Sequence, residues 1–297
     1  MAEEWSETFI LTPSRTQTLP FVFNSPHSGD EFPDDFLERS QLERPSLRKA
    51  SDLFVDRLIA PLSKHGATVM KARLPRSYID LNREPFELDP RLIEGPLPPE
   101  ANTRSLRVMG GLGTVPRVIG DQIEIYAGKL TLQAALERIE RAYLPYHRRL
   151  GQVMAQSHAQ CGRAILIDCH SMPSTIGPRP SRLLPDIVLG DRYGTSCAPY
   201  LIDTLEAIFR QNGFKVERNQ PYAGGYITEH YGRVSTGWHA LQVEINRALY
   251  MDERTLLPNE GFVPMMKALE QVFGELIECE PYKKRKSDLH FYQRAAE

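Results

Sequence analysis

Two histidines in this chain directly follow short apolar runs that read as strands. His27 comes after FVFNS (21–25), and His170 follows AILIDC (164–169). Glu244 sits within ALQVEINR between Val243 and Ile245, where a carboxylate in an apolar strand needs a reason to be buried. Asp80, Asn82 and Arg83 lie together in SYIDLNREP just before Pro85, and Asp191 follows DIVLG. In an open α/β sheet, ligands bind outside the carboxyl ends of the strands, so residues at such ends gather at one rim. Two imidazoles and one carboxylate around a zinc ion leave a position open for water. The ion lowers that water's pKa and a free carboxylate takes its proton, which is the chemistry of amide hydrolysis.

Each residue also has a plainer reading: a strand-end histidine, an Asx turn in DLNR, a glutamate on an edge strand. Rival chemistries fare worse. In a strand that continues through Cys169 and His170, the two side chains point to opposite faces and cannot form a thiolate–imidazole pair. Ser171 has no G-x-S-x-G turn around it. VMGGLGTVP has neither the Walker lysine nor the spacing of a dinucleotide fingerprint. No compact H-E-x-x-H occurs either, so a metal site must be assembled from distant segments.

The elements that would do this are legible. Strand-like runs recur at 21–25, 67–72, 164–169, 186–191, 214–219 and 240–245. SDLFVDRLIAPLSKHG reads as a helix with Leu53, Leu58, Ile59 and Leu62 near one face, Ser51 or Asp52 as its N-cap, a bend at Pro61 and a stop at Gly66. TLQAALERIERAYLPYHRRLGQVMAQSHAQCG is the longest helical segment, kinked or broken at Pro145 and ended by Gly162. SCAPYLIDTLEAIFRQNG and FVPMMKALEQVFGELIE are further amphipathic helices. Strands alternating with helices predict an α/β fold, one domain over residues 1–297, with a mixed, mostly parallel sheet flanked by helices. The long excursions at 85–104 and 172–186 are expected to wall a site, and the cationic YKKRKSDLH reads as a solvated turn.

Composition bounds the partners. The 297 residues are 41% hydrophobic and 25% charged, as in a soluble globular protein. A net charge of -2 and a pI near 6.5 supply no field for nucleic acid or an anionic membrane, which leaves a small-molecule substrate. Cys161, Cys169, Cys197 and Cys279 form no C-x-x-C pair and read as reduced thiols. The opening MAEEWSETFILTPSR lacks a basic segment followed by an apolar one, and no apolar run reaches the ~18 residues of a membrane span. A cytoplasmic protein is expected; the oligomeric state is not legible.

The pieces NSPHSGDEFP, LPRSYIDLNREP, IDCHSMPS, DIVLGDRYGTSC and QPYAGGYITEHYGR followed by ALQVEINRALYMDE span residues 24–253. In this order they resemble the N-formylglutamate amidohydrolase family. The resemblance implies a zinc exopeptidase-like fold and a metal-dependent hydrolase that removes formate from N-formyl-L-glutamate, the last step of one histidine-degradation route. It implies one divalent metal, zinc, held by His27, His170 and a carboxylate, with Glu244 as general base and Asn82 with Arg83 gripping a substrate carboxylate. The carboxylate ligand is Asp52, at the mouth of the next helix as in related zinc amidases, or Asp30, at the His-x-x-Glu spacing of carboxypeptidases. Two substrate carboxylates call for a bidentate guanidinium, with Arg83 first and Arg76, Arg117 and Arg179 in reserve. Tyr226 or Met172 is expected to close the small formyl side. The other readings are a metal-dependent carboxypeptidase or peptide amidase and a non-catalytic dicarboxylate-binding protein.

Overall fold

The computed structural model describes residues 3–14, 19–120, 122–175 and 184–279. An eight-stranded sheet organises them. Its strands are Glu4–Trp5 (β1), Phe9–Thr12 (β2), Phe21–Ser25 (β3), Thr68–Ala72 (β4), Ala164–Met172 (β5), Ile187–Gly190 (β6), Val216–Arg218 (β7) and Trp238–Asn246 (β8), ordered β1-β2-β4-β3-β5-β8-β6-β7. The central run β4-β3-β5-β8 is parallel throughout. β6 returns antiparallel to β8 with β7 parallel to it, and β1 and β2 form an antiparallel edge. This is the mixed, mostly parallel α/β sheet that the strand–helix alternation predicts. β1 and β2 extend it beyond the six strand-like runs.

The helices that matter for the site are Val55–Ile59 (α1), Leu106–Met109 (α2), Leu132–Arg138 (α3), Leu144–Cys161 (α4), Pro199–Gln211 (α5), Tyr226–Tyr231 (α6) and Phe262–Glu278 (α7). They cover both faces of the central strands, as parallel sheets require. On one face, Phe21, Phe23, Ile165, Ile167, Leu241 and Val243 pack with α1, α5 and α7. The opposite face is built differently along its length. Its amino-terminal half carries Val22, Ala164, Leu166 and Ala240 against α3, α4 and α6. Its carboxyl-terminal half carries Asn24, Asp168, His170, Gln242 and Glu244, because side chains alternate with a period of two. The sheet is thus anchored at one end by apolar burial on both faces, where Leu166→Ala would cost about 2–5 kcal/mol, and polar on one face at the other end.

Two local expectations change. The Ser51 or Asp52 N-cap is not used: no side chain caps α1, and the residue preceding it is Phe54 in a left-handed conformation (φ 68°). Only Val55–Ile59 is α-helical, and Ala60–His65 continues as a tighter 3₁₀ segment to Gly66. The long helical segment is interrupted just before Pro145: a π segment, Ile139–Tyr143, separates α3 from α4, and Pro145 stands in the first turn of α4, where its missing N–H costs little. Gly162 does end α4, its N–H donating to His158 O at 2.8 Å. YKKRKSDLH lies outside the described residues.

Candidate metal centre

His27 lies two residues beyond the end of β3, His170 is inside β5, and Asp52 lies in the loop before α1. The β3 exit and that loop are tied by Asp52 N–H donating to His27 O at 2.9 Å. One ligand atom from each of His27, Asp52 and His170 falls within 4.8 Å of the others, and all three residues are buried. Asp52 Oδ2 lies 2.9 Å from His170 Nδ1 and 3.4 Å from His27 Nδ1.

The far nitrogen of each ring is held from behind. Asp168 Oδ2 is 2.9 Å from His170 Nε2, and Asp80 Oδ1 is 2.8 Å from His27 Nε2. Carboxylates in those places fix ring orientation and tautomer, so that both Nδ1 atoms converge on the Asp52 side. Each has its own support: Asn24 Nδ2 donates to Asp168 Oδ1 at 2.8 Å, and Arg76 Nε donates to Asp80 Oδ2 at 2.9 Å. Tyr146 OH donates to Asn24 Oδ1 at 2.5 Å, which ties α4 into the chain of contacts.

The donor set passes a chemical test for a divalent cation. His27 Nδ1 is buried with no hydrogen-bond partner among the described residues, Asp52 Oδ2 standing 3.4 Å away, a state that is costly unless something else takes its lone pair. Two imidazole nitrogens and one carboxylate are a known zinc donor combination with room for a further ligand. Without a cation, burial raises the Asp52 pKa, but the His170 and His27 rings outweigh it and hold the carboxyl well below its usual value. Burial lowers the His170 pKa, but Asp168, with Asp52 and Glu244, outweighs it and holds the imidazole well above its usual value.

Glu244 stands opposite His170 in the β8–β5 register. Gln242 Nε2 donates to Glu244 Oε1 at 2.7 Å, and Gln242 Oε1 accepts from Gly225 N–H at 3.0 Å, which fixes the carboxyl. Burial pushes Glu244 up to about 7, the range suited to a base working near neutral pH. These groups open on a cavity of about 370 Å³ whose lining includes Asn82, Arg83, Arg76, Arg107, Arg247 and Tyr222. Asn82 Oδ1 accepts from Ile227 N–H at 2.8 Å, while its Nδ2 lies 3.3 Å from His170 Nε2. Arg83 donates to Leu112 O and Asn82 O, both at 2.8 Å, and burial lowers its guanidinium to about 10.

Several expected residues lie elsewhere. Asp30 pairs with Arg48 at 3.0 Å and takes no part in the buried cluster, because the chain turns it toward the 44–48 segment. Asp191 belongs to the opposite edge: β6 runs against β8, so its carboxyl end points away, and Asp191 Oδ1 closes a turn with Gly194 N–H and Asn219 Nδ2. Arg117 is bound to Asp89 at 2.9 Å and lies outside the cavity, and Arg179 lies outside the described residues. Met172 is fully buried and Tyr226 stacks on His230, so neither lines the cavity.

The cavity wall also differs from expectation. The 85–104 excursion contributes no lining residue, and of 172–186 only Pro173 lines it among the described residues. Pro221, Tyr222, Ala223, Gly224 and Gly225 form a wall that sequence reading missed. Gly225 is required there, since a Cβ would meet the Asn82 side-chain amide at 2.4 Å. Asp168 was also missed as a partner of His170, although two-residue alternation in AILIDCH puts both on one face.

Fold and relatives together define the class: an α/β enzyme that hydrolyses its substrate. The chain belongs to the N-formylglutamate amidohydrolase family, whose sequence profile matches residues 19–251. It is similar to the N-formylglutamate deformylase of Pseudomonas aeruginosa, 28% identical over 263 residues that cover 88% of this chain and 92% of that protein. It is also similar to the N-formylglutamate deformylase of Pseudomonas putida, 29% identical over 238 residues, covering 79% and 83%. The crystal structure of N-formylglutamate amidohydrolase from Ralstonia eutropha JMP134 superposes with a TM-score of 0.85 at 34% identity, covering 92% of this chain and 99% of that one. No helix among the described residues is long and apolar enough to cross a membrane.

Proposed function

We propose that this chain is a metal-dependent deformylase that hydrolyses N-formyl-L-glutamate, or a close N-acyl acidic amino acid, to formate and L-glutamate. The observation that carries the reading is the shared cavity, in which His27, Asp52 and His170 lie beside Glu244 and several guanidiniums. His27, Asp52 and His170 would hold one divalent cation, zinc by the donor set. When bound, the cation supplies Lewis acidity and an acidified water.

The chain's own residues do the rest. Gln242 fixes Oε1 of Glu244, and the Glu244 carboxylate takes a proton from the attacking water as the hydroxyl joins the formyl carbon. The same proton is then delivered to the amide nitrogen as the C–N bond breaks, so the amine of glutamate leaves neutral. Asn82 and Arg83 hold the carboxylate nearest the amide, and a guanidinium suits a carboxylate because it donates in a planar fork.

A cytoplasmic location, which the buried thiols of Cys169 and Cys197 support, and a place at the end of a histidine-degradation route belong to the same proposal. The experiment is formate release from N-formyl-L-glutamate by the metal-replete protein, beside the N-acetyl and N-succinyl analogues. Release from the formyl substrate well above the others is expected; none from any of the three would overturn the reading.

A further inference from the structure

Among the described residues four arginines line the cavity, and three of them already pair with carboxylates of the protein. Arg76 and Arg83 share Asp80, at 2.9 and 3.5 Å, and Arg247 lies 3.2 Å from Asp52. Arg107 makes no ion pair and no side-chain hydrogen bond among the described residues, although it is partly withdrawn from solvent.

Its backbone, in contrast, is pinned. Ser105 Oγ caps α2 by accepting from Val108 N–H at 3.1 Å, Arg91 Nη2 donates to Val108 O at 3.0 Å, and Leu112 N–H donates to Arg107 O at 2.8 Å. Gly113 then passes so close to Glu87 O that a Cβ would sit 2.2 Å from it. A fixed helix therefore presents an uncommitted guanidinium to the cavity.

The charge around it points to an anionic ligand. Arg83, which pairs first with Asp80, and Arg107 repel each other, and both are attracted by Glu87, a buried group whose Oε2 has no hydrogen-bond partner among the described residues and lies 3.9 Å from Arg83 Nε. With Asp80 shared by Arg76 and Arg83, two buried carboxylates, Asp80 and Glu87, stand among three guanidiniums, which leaves a positive charge without its own counter-ion. A ligand carboxylate there would gain charge-assisted, fork-shaped hydrogen bonds in a partly desolvated place. Asn82 and Arg83 adjoin the imidazoles through His170 and Asp80, so they suit the carboxylate on the carbon that bears the amide. A second carboxylate two methylenes further on needs a cation beyond them.

We propose that Arg107 binds the side-chain carboxylate of the substrate and sets the preference of this site for glutamate over its neutral isostere, glutamine. This rests on the functional reading above. The test compares wild type and Arg107→Gln, both metal-loaded and matched in metal content and melting temperature, in two assays: formate release from N-formyl-L-glutamate and N-formyl-L-glutamine, and calorimetric binding of L-glutamate and L-glutamine.

The wild type should favour the glutamate compound by about 100-fold in kcat/KM, as the loss of one partner of a desolvated charge pair implies. In Arg107→Gln that ratio should collapse toward one, mainly through KM, and Arg107→Lys should recover part of it. A ratio unchanged in Arg107→Gln, or an equal fall for both substrates, overturns the proposal. If the wild type releases no formate, the functional reading fails and the binding ratio decides for Arg107. Glutamate preference lost in Arg107→Gln supports the proposal, and glutamate and glutamine bound alike by the wild type refute it.

Discussion

Asp168 and His170 lie on the same face of β5, and the Asp168 carboxylate is 2.9 Å from the His170 Nε2 atom. This contact turns the other ring nitrogen toward Asp52, and a hydrogen-bonded relay through Asn24 and Tyr146 stabilises it from behind. Asp168→Asn keeps the shape but loses the charge that orients the ring. We expect metal affinity to fall about 10- to 100-fold. A competitive chelator titration measures this, and unchanged affinity would remove Asp168 from the metal-holding machinery.

Glu244→Gln retains the volume and the Gln242 neighbour but cannot accept a proton. Turnover should drop by about 100-fold or more, as for loss of a general base, while the bound metal stays stoichiometric. Steady-state formate release with elemental analysis of the same sample separates the two effects.

Metal uptake should depend on pH with a definite sign. In the metal-free site burial lowers the His170 pKa, but Asp168, Asp52 and Glu244 together outweigh it and hold the value well above the usual one, so the protonated ring is favoured and its Nδ1–H faces Asp52. A cation must expel that proton to use Nδ1. Affinity therefore rises with pH until the folded-state pKa of His170 is passed, and protons are released on binding. Calorimetry in buffers of different ionisation enthalpy counts them; proton uptake, or none exchanged, would contradict the arrangement.

His147 gives the fold an acid sensitivity of its own. Burial lowers it to about 4, and its Nε2–H donates to Leu81 O at 2.9 Å. Its folded pKa lies below the unfolded value near 6.5, so its neutral form supports the fold above that value. Stability is lost as pH falls from about 6.5 toward 4, where the unfolded chain binds the proton first. Melting temperatures across that range should slope more steeply for wild type than for His147→Gln.

Much of this arrangement is readable from residue order, and the unread part has physical causes. His27, His170 and Glu244 are conspicuous because polar groups at the ends of apolar strands must be compensated, and parallel pairing of β3, β5 and β8 brings them to one edge. Asp191 misleads because a strand's direction is not written in its composition, and β6 is reversed. Asp52 reads as a helix cap from sequence, yet the left-handed Phe54 delays the helix and leaves the carboxyl beside the imidazoles. The Pro221–Gly225 wall is illegible because it depends on a close approach to Asn82 more than a hundred positions away. Arg107 is hidden for a similar reason, since only the ion pairs of Arg76, Arg83 and Arg247 set it apart among the described arginines of the cavity.

The most direct test of the account is the metal content of wild type, His27→Ala, Asp52→Ala, His170→Ala and Asp30→Ala, purified alike and dialysed against zinc at a fixed free concentration. Wild type and Asp30→Ala should each hold about one equivalent, as a single three-residue site implies, and the other three should hold far less. Stoichiometric zinc in the Asp52 and His170 variants would contradict the shared centre on which the proposed hydrolysis depends.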